Sequence, residues 1–77
     1  MDINHARAEF EAGRLVEAIV EPADDGNGWM ILLKPAEGDP VKVTDHHGTE
    51  KVYHTLDRAT EVAKGIGFHA VRVEEGF

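Results

Sequence analysis

Residues 15–35, LVEAIVEPADDGNGWMILLKP, decide the fold. The first run, LVEAIVE, alternates: Val16, Ala18 and Val20 fall on one face of a strand, and Leu15, Glu17, Ile19 and Glu21 on the other. Pro22 brings no N–H to a ladder and stops it. PADDGNG then collects residues that favour turns through a fixed φ, local side-chain bonding or tolerance of positive φ. WMILL, 29–33, resumes as a strand with Trp29, Ile31 and Leu33 on one side and Met30 and Leu32 on the other. Two apolar runs around a turn predict a hairpin, and a hairpin apolar on both faces must be covered on both.

Working outward, residues 3–14 predict a helix: Asp2 is a good N-cap, and Ile3, Ala6, Phe10 and Gly13 recur at spacings of three and four. On the other side KPAEGDP is a polar loop, VKVT (41–44) a third strand with Val41 and Val43 on one side, and TEKVYHT (49–55) a fourth. Thr55 can cap a second helix running from Leu56 to about Ile66, with Asp57 in its first turn and Leu56, Ala59, Val62, Ala63 and Ile66 as the buried stripe. Gly67 suits the left-handed stop, which would fold Phe68 back onto Ala63. AVRVEE (70–75) closes as a last strand with Val71 and Val73 inward. The expected fold class is α+β, one domain over residues 1–77: an N-terminal helix, a mostly antiparallel meander of about four strands, a second helix and a final strand, αββββαβ. One helix on each sheet face would cover the hairpin, and so would one helix plus a subunit neighbour. Monomer and homodimer therefore stand equally open.

A chain of 77 residues buries only roughly 60% of the surface its unfolded form exposes. It has no cysteine, so neither a disulfide framework nor a thiolate zinc site steadies it. The net charge is −7, and residues 1–28 carry seven acids against Arg7 and Arg14 alone. That balance disfavours nucleic acid and anionic membrane as partners. No apolar run reaches the length of a membrane helix and MDINHARAEF does not read as a secretion signal, so the expectation is a soluble, cytoplasmic protein.

VTDHHGTEKVYHT, 43–55, gathers His46, His47 and His54 with Asp45 and Glu50. If His46, His47 and Gly48 form a three-residue loop of type I turn plus bulge, the strand resumes at Thr49. At about 3.3 Å per residue His54 then lies about 16 Å from the tip, too far to share a metal with the other two. Asp45, His46 and His47 remain as a weak metal or pH-sensing candidate. In that register Lys42 lies opposite Val52, Tyr53 faces the core beside Val41 and Val43, and His54 faces solvent. A two-residue turn would invert these assignments.

Other motifs carry less. DDGNG places Trp29 and Ala36 where a calcium loop needs ligands. GNGW and GIGF lack the third glycine of a dinucleotide fingerprint. With no serine or cysteine, Thr44, Thr49, Thr55 and Thr60 are the hydroxyl nucleophiles on offer, and a His54–Glu50 pair would sit on an open hairpin. Lys42, Lys51 and Arg72, near Trp29 or Tyr53, make a basic stripe interleaved with acids.

In Gly28, Trp29, Gly48, Tyr53, Thr55, Leu56, Asp57, Gly67 and Phe68, within the stretches GWMILL (28–33) and DHHGTEKVYHTLDRATEVAKGIGFHAVRVE (45–74), the sequence resembles a group of short bacterial α+β proteins, some labelled plasmid replication or partition-like. They share a Gly-Trp strand, a Gly-centred hairpin, an aromatic, then Thr or Ser, Leu, Asp and a helix ending in Gly-Phe or Gly-Val before a last strand. The resemblance implies a role in plasmid replication or DNA maintenance and supplies no catalytic residues. The expectation is a non-catalytic interaction or regulatory module without a cofactor. It would bind a protein partner or itself through Met30, Leu32, Lys42, His54 and Arg72; the alternative is a weak metal or pH sensor at the hairpin histidines.

Overall fold

In the computed structural model, residues 1–24 and 26–75 are described. The elements are α1 (Ile3–Glu11), β1 (Leu15–Pro22), β2 (Trp29–Pro35), β3 (Val41–Lys42), α2 (Leu56–Ile66) and β4 (Arg72–Val73). The strands form one sheet in the order β3-β2-β1-β4. β2 runs antiparallel to both β1 and β3, whereas β4 runs parallel to β1, so the sheet is mixed. The α+β class and the order of helix, strands, helix and strand agree with the sequence reading. Among the described residues no helix is long and apolar enough to cross a membrane.

Both helices are capped as their sequences dictate. The Asp2 carboxylate accepts from His5 N–H at 2.7 Å, and the Thr55 hydroxyl accepts from Arg58 N–H at 3.1 Å, each satisfying a donor that a helix start leaves unpaired. α1 ends at Glu11, earlier than residue 14, and Gly13 turns the chain with φ +78°. α2 stops at Gly67, φ +140°, whose N–H donates to Lys64 C=O. A Cβ there would lie 2.5 Å from two atoms of the Phe10 ring. The bare glycine thus seats Phe10, which meets Phe68 edge-on at 4.7 Å and joins the ends of the two helices.

Three expectations require correction. The first is the face of β1. Its register against β2 shifts between Leu15 and Glu17, giving β1 one residue more than its partner. Leu15, at 6% exposure, therefore joins Ala18 and Val20 in the core, and Val16 is left 58% exposed. Pro35 stands opposite Leu15 and has no N–H for the ladder, which favours an irregularity there.

The second removes one of the two covers left open for the hairpin, a helix on each face: both helices pack on the same face of the sheet. Ala6 of α1 and Ala59, Ala63 and Ile66 of α2 share one core with Ala18, Val20, Ile31, Leu33, Val43 and Phe68. Four of those residues are fully buried alanines, small enough to bring both helices close to the strands.

The third is the fourth meander strand. Residues 49–55 make only isolated bridges, Thr44↔Glu50 and Trp29↔Tyr53. Lys51 N–H donates to Val43 C=O, but by Tyr53 the chain has moved over to Trp29, exchanging two bonds of 2.8 Å with it. Gly28 permits this crossing: with φ +99°, a Cβ would fall 2.5 Å from Val52 Cγ1 and 2.7 Å from Tyr53 C=O. Near the end of the chain Val71 packs against the core as expected, whereas Val73 is 39% exposed.

Gly28→Ala should destabilise the fold by about 1–3 kcal/mol, because the strain at positive φ adds to a collision with backbone that has no room to retreat. Gly65→Ala, inside α2 with open space around it, should stabilise by about 0.5–1 kcal/mol. Urea unfolding of both variants beside the wild type checks the pair.

Candidate interaction face of the sheet

With both helices on one face, the opposite face is covered by side chains of the sheet itself. The register places Lys42 beside Leu32, Leu32 beside Ile19 and Ile19 beside Arg72, a row across all four strands with a cation at each end. Glu17 and Lys34 form the cross-strand pair on one side of that row, and Glu21 and Met30 the pair on the other.

Each terminal cation is held by two carboxylates. Lys42 Nζ lies 3.5 Å from Asp24 Oδ2 and 3.3 Å from Glu50 Oε2, joining the 23–28 loop to the later hairpin. Arg72 lies 3.1 Å from Glu17 Oε1 and also bridges to Glu74. The hydrogen bond that the Lys42 ammonium donates to Glu50 holds it above its ordinary pKa, and the bond from the Arg72 guanidinium to Glu74 does the same for Arg72. Ile19 and Met30, 7% and 3% exposed, are buried here although neither belongs to the helix-side core. Leu32 and Arg72 are the register neighbours of Ile19 on either side, and the aliphatic stem of an arginine can shield such a neighbour beneath its charged head. Exposed ion pairs contribute about 0–1 kcal/mol, whereas burying an aliphatic side chain contributes about 1.5–3 kcal/mol. The burial of Ile19 is thus worth more to the fold than the exposed pairs at the ends of the row.

Of the residues expected to meet a partner, the structure brings Leu32, Lys42 and Arg72 into that single row. Met30 shares the face but is buried, and it floors a hollow of about 220 Å³ walled by Ala23, Asp24, Glu50 and Val52. His54 is exposed beyond Tyr53, just ahead of α2. The sequence reading missed Ile19 as the centre of the row, and Glu17, Asp24, Glu50 and Glu74 as its anchors. Glu17 and Arg72 are 55 residues apart, and only the placement of β4 beside β1 brings them together.

The hairpin tip has the bulged register. Asp45 N–H donates to Thr49 C=O, Gly48 N–H donates to Asp45 C=O, and Gly48 takes φ +88°. Asp45 Oδ1 accepts from His47 N–H at 2.8 Å and from Thr49 N–H at 3.0 Å. These bonds, that from Thr49 foremost, hold the Asp45 carboxyl below its ordinary pKa. The His46 and His47 rings lie against each other, 4.0 Å between centroids at 42°. Among the described residues no three His, Cys, Asp or Glu side chains are grouped to hold a metal ion.

Of the four threonine hydroxyls, Thr44 donates to Asp45 C=O, Thr60 donates to Leu56 C=O and Thr55 is the cap. A cleft of about 420 Å³ lies between the end of α1 and the end of β2, where Arg14 Nε meets Glu9 Oε2 at 2.5 Å. Lys51 Nζ sits 6.0 Å from the centre of the Tyr53 ring. The Tyr53 hydroxyl is buried without a hydrogen-bond partner, and its burial raises its pKa.

The folded pKa of Asp45 is depressed, so its charge stabilises the turn above the unfolded value of about 3.9. That contribution is lost as pH falls through the folded value. The gap in urea midpoint between wild type and Asp45→Asn should therefore hold steady near neutrality and narrow below about pH 4. Urea titrations across that range measure it; a gap constant to the acid limit would trace the effect to turn geometry instead of charge.

Scans of protein-family models, curated proteins and solved structures found no match to this chain.

Proposed function

We propose that the chain is a small non-catalytic interaction module whose helix-free sheet face receives a protein partner, in the plasmid-replication or DNA-maintenance setting suggested by its resemblance to short bacterial proteins. The observation that carries this reading is the row Lys42, Leu32, Ile19, Arg72. It offers the half-buried Leu32, beside the buried Ile19, between two cations whose carboxylates fix their positions in advance, which lowers the ordering cost of binding. The same carboxylates favour protein over nucleic acid: Lys42 and Arg72 are each already engaged by two acids, on a chain of net charge −7. The hairpin tip, read as a weak metal or pH sensor, rests on the stacked imidazoles alone and ranks second. Asp45 Oδ1 there is already taken by the turn.

A photoreactive amino acid at Lys34, exposed on the proposed face, should cross-link to one defined protein in cells expressing the chain. The same group at Glu61, exposed on α2, should not. Equal adducts at both positions, or adducts to nucleic acid alone, would overturn the reading.

A further inference from the structure

The two edges of the sheet differ. Along β3 the edge is occupied: the Met1 nitrogen donates to Lys42 C=O, Met1 C=O accepts from Thr44 N–H, and Lys51 N–H donates to Val43 C=O. Along the outer side of β4 it is open among the described residues. Glu74 N–H donates to Val20 C=O, and backbone groups of successive strand residues point to opposite sides. The N–H and C=O of Val73 therefore point away from β1, beside a side chain that is itself exposed. Unpaired groups of this kind are a template for another strand.

The sequence around Val73 is complementary to itself. Arg72 and Glu74 share the helix-free face and already touch each other. If a second β4 runs antiparallel with Val73 opposite Val73, Arg72 of one copy stands opposite Glu74 of the other, on both sides of the two-fold axis. Opposite charges directly across a strand pair are favourable, and a guanidinium has donors enough for a further carboxylate.

We propose that two copies of the chain pair through the open edge of β4, antiparallel and centred on Val73. Each Val73 gives its N–H to the C=O of the other, and two four-stranded sheets become one of eight strands. The symmetry is two-fold and the interface isologous. The exposed valines meet on the helix side, and the two rows that begin at Lys42 join end to end through the Arg72–Glu74 pairs. This pairing depends on the edge of the sheet alone and stands whether or not the open face binds a partner.

Light scattering should give the mass of two chains for the wild type, and of one chain for Arg72→Glu or Glu74→Arg alone, since each places like charges opposite each other. Mixing those two variants restores opposite charges and should restore the two-chain mass. The chain has no cysteine, so Val73→Cys is a specific probe. Directly opposed Cα atoms in such a pair are about 5.5 Å apart, within disulfide reach. Under oxidised glutathione it should cross-link about tenfold or more faster than Val52→Cys, which lies exposed on the hairpin. A wild type of single-chain mass up to about millimolar concentration, equal cross-linking of the two cysteine variants, or a dimer indifferent to both charge reversals would each overturn the proposal. A single-chain mass would leave the edge to a strand of another protein, and the Lys34 cross-link would still report on the open face.

Discussion

The hairpin of β1 and β2 is apolar on both faces, and the two helices that follow and precede it occupy only one of them. Most of the remaining structure meets that constraint. On the helix side, alanines at positions 6, 18, 59 and 63 bring helix and strand backbones close enough to bury Ile31 and Leu33 completely. On the other side there is no second layer among the described residues, yet Ile19 and Met30 are buried, Met30 beside Ala23, Asp24, Glu50 and Val52. The carboxylates of Glu17, Asp24, Glu50 and Glu74 pair with Lys42 and Arg72 at the two ends of the row on that face.

The same constraint accounts for the irregular parts. A strand of strict alternation would bury Val16 and expose Leu15; the extra residue at the start of β1 reverses this and places the larger side chain inside. The crossing of Tyr53 onto Trp29, made possible by Gly28, closes the sheet beside Val52 and Glu50 and walls the hollow above Met30.

Features governed by local chemistry were legible in the sequence. Asp2 and Thr55 cap their helices, Gly67 ends α2, and the Gly48 turn fixes a hairpin register with Tyr53 toward the core. Features set by distant contacts were not. That both helices choose one face, that β4 lies parallel to β1, and that Tyr53 pairs with Trp29 in place of continuing along Val41 each depend on residues far apart in the chain. The same division runs through the candidate face. Leu32, Lys42 and Arg72 could be named from alternation, but their common row required the strand order, and their acidic anchors required the folded loops. The histidines were conspicuous in sequence, yet His46 and His47 sit at an exposed turn whose carboxylate serves the backbone.

The expectation that the Arg72 stem shields its register neighbour Ile19 on the helix-free face is tested most directly by the solvent accessibility of the Ile19 methyl groups, read by NMR with a soluble paramagnetic probe. The account predicts a relaxation enhancement far below that of the Val16 methyls, rising in Arg72→Ala and unchanged in Arg58→Ala, whose side chain lies on α2. An Ile19 as accessible as Val16 in the wild type, or one indifferent to the loss of Arg72, would contradict it.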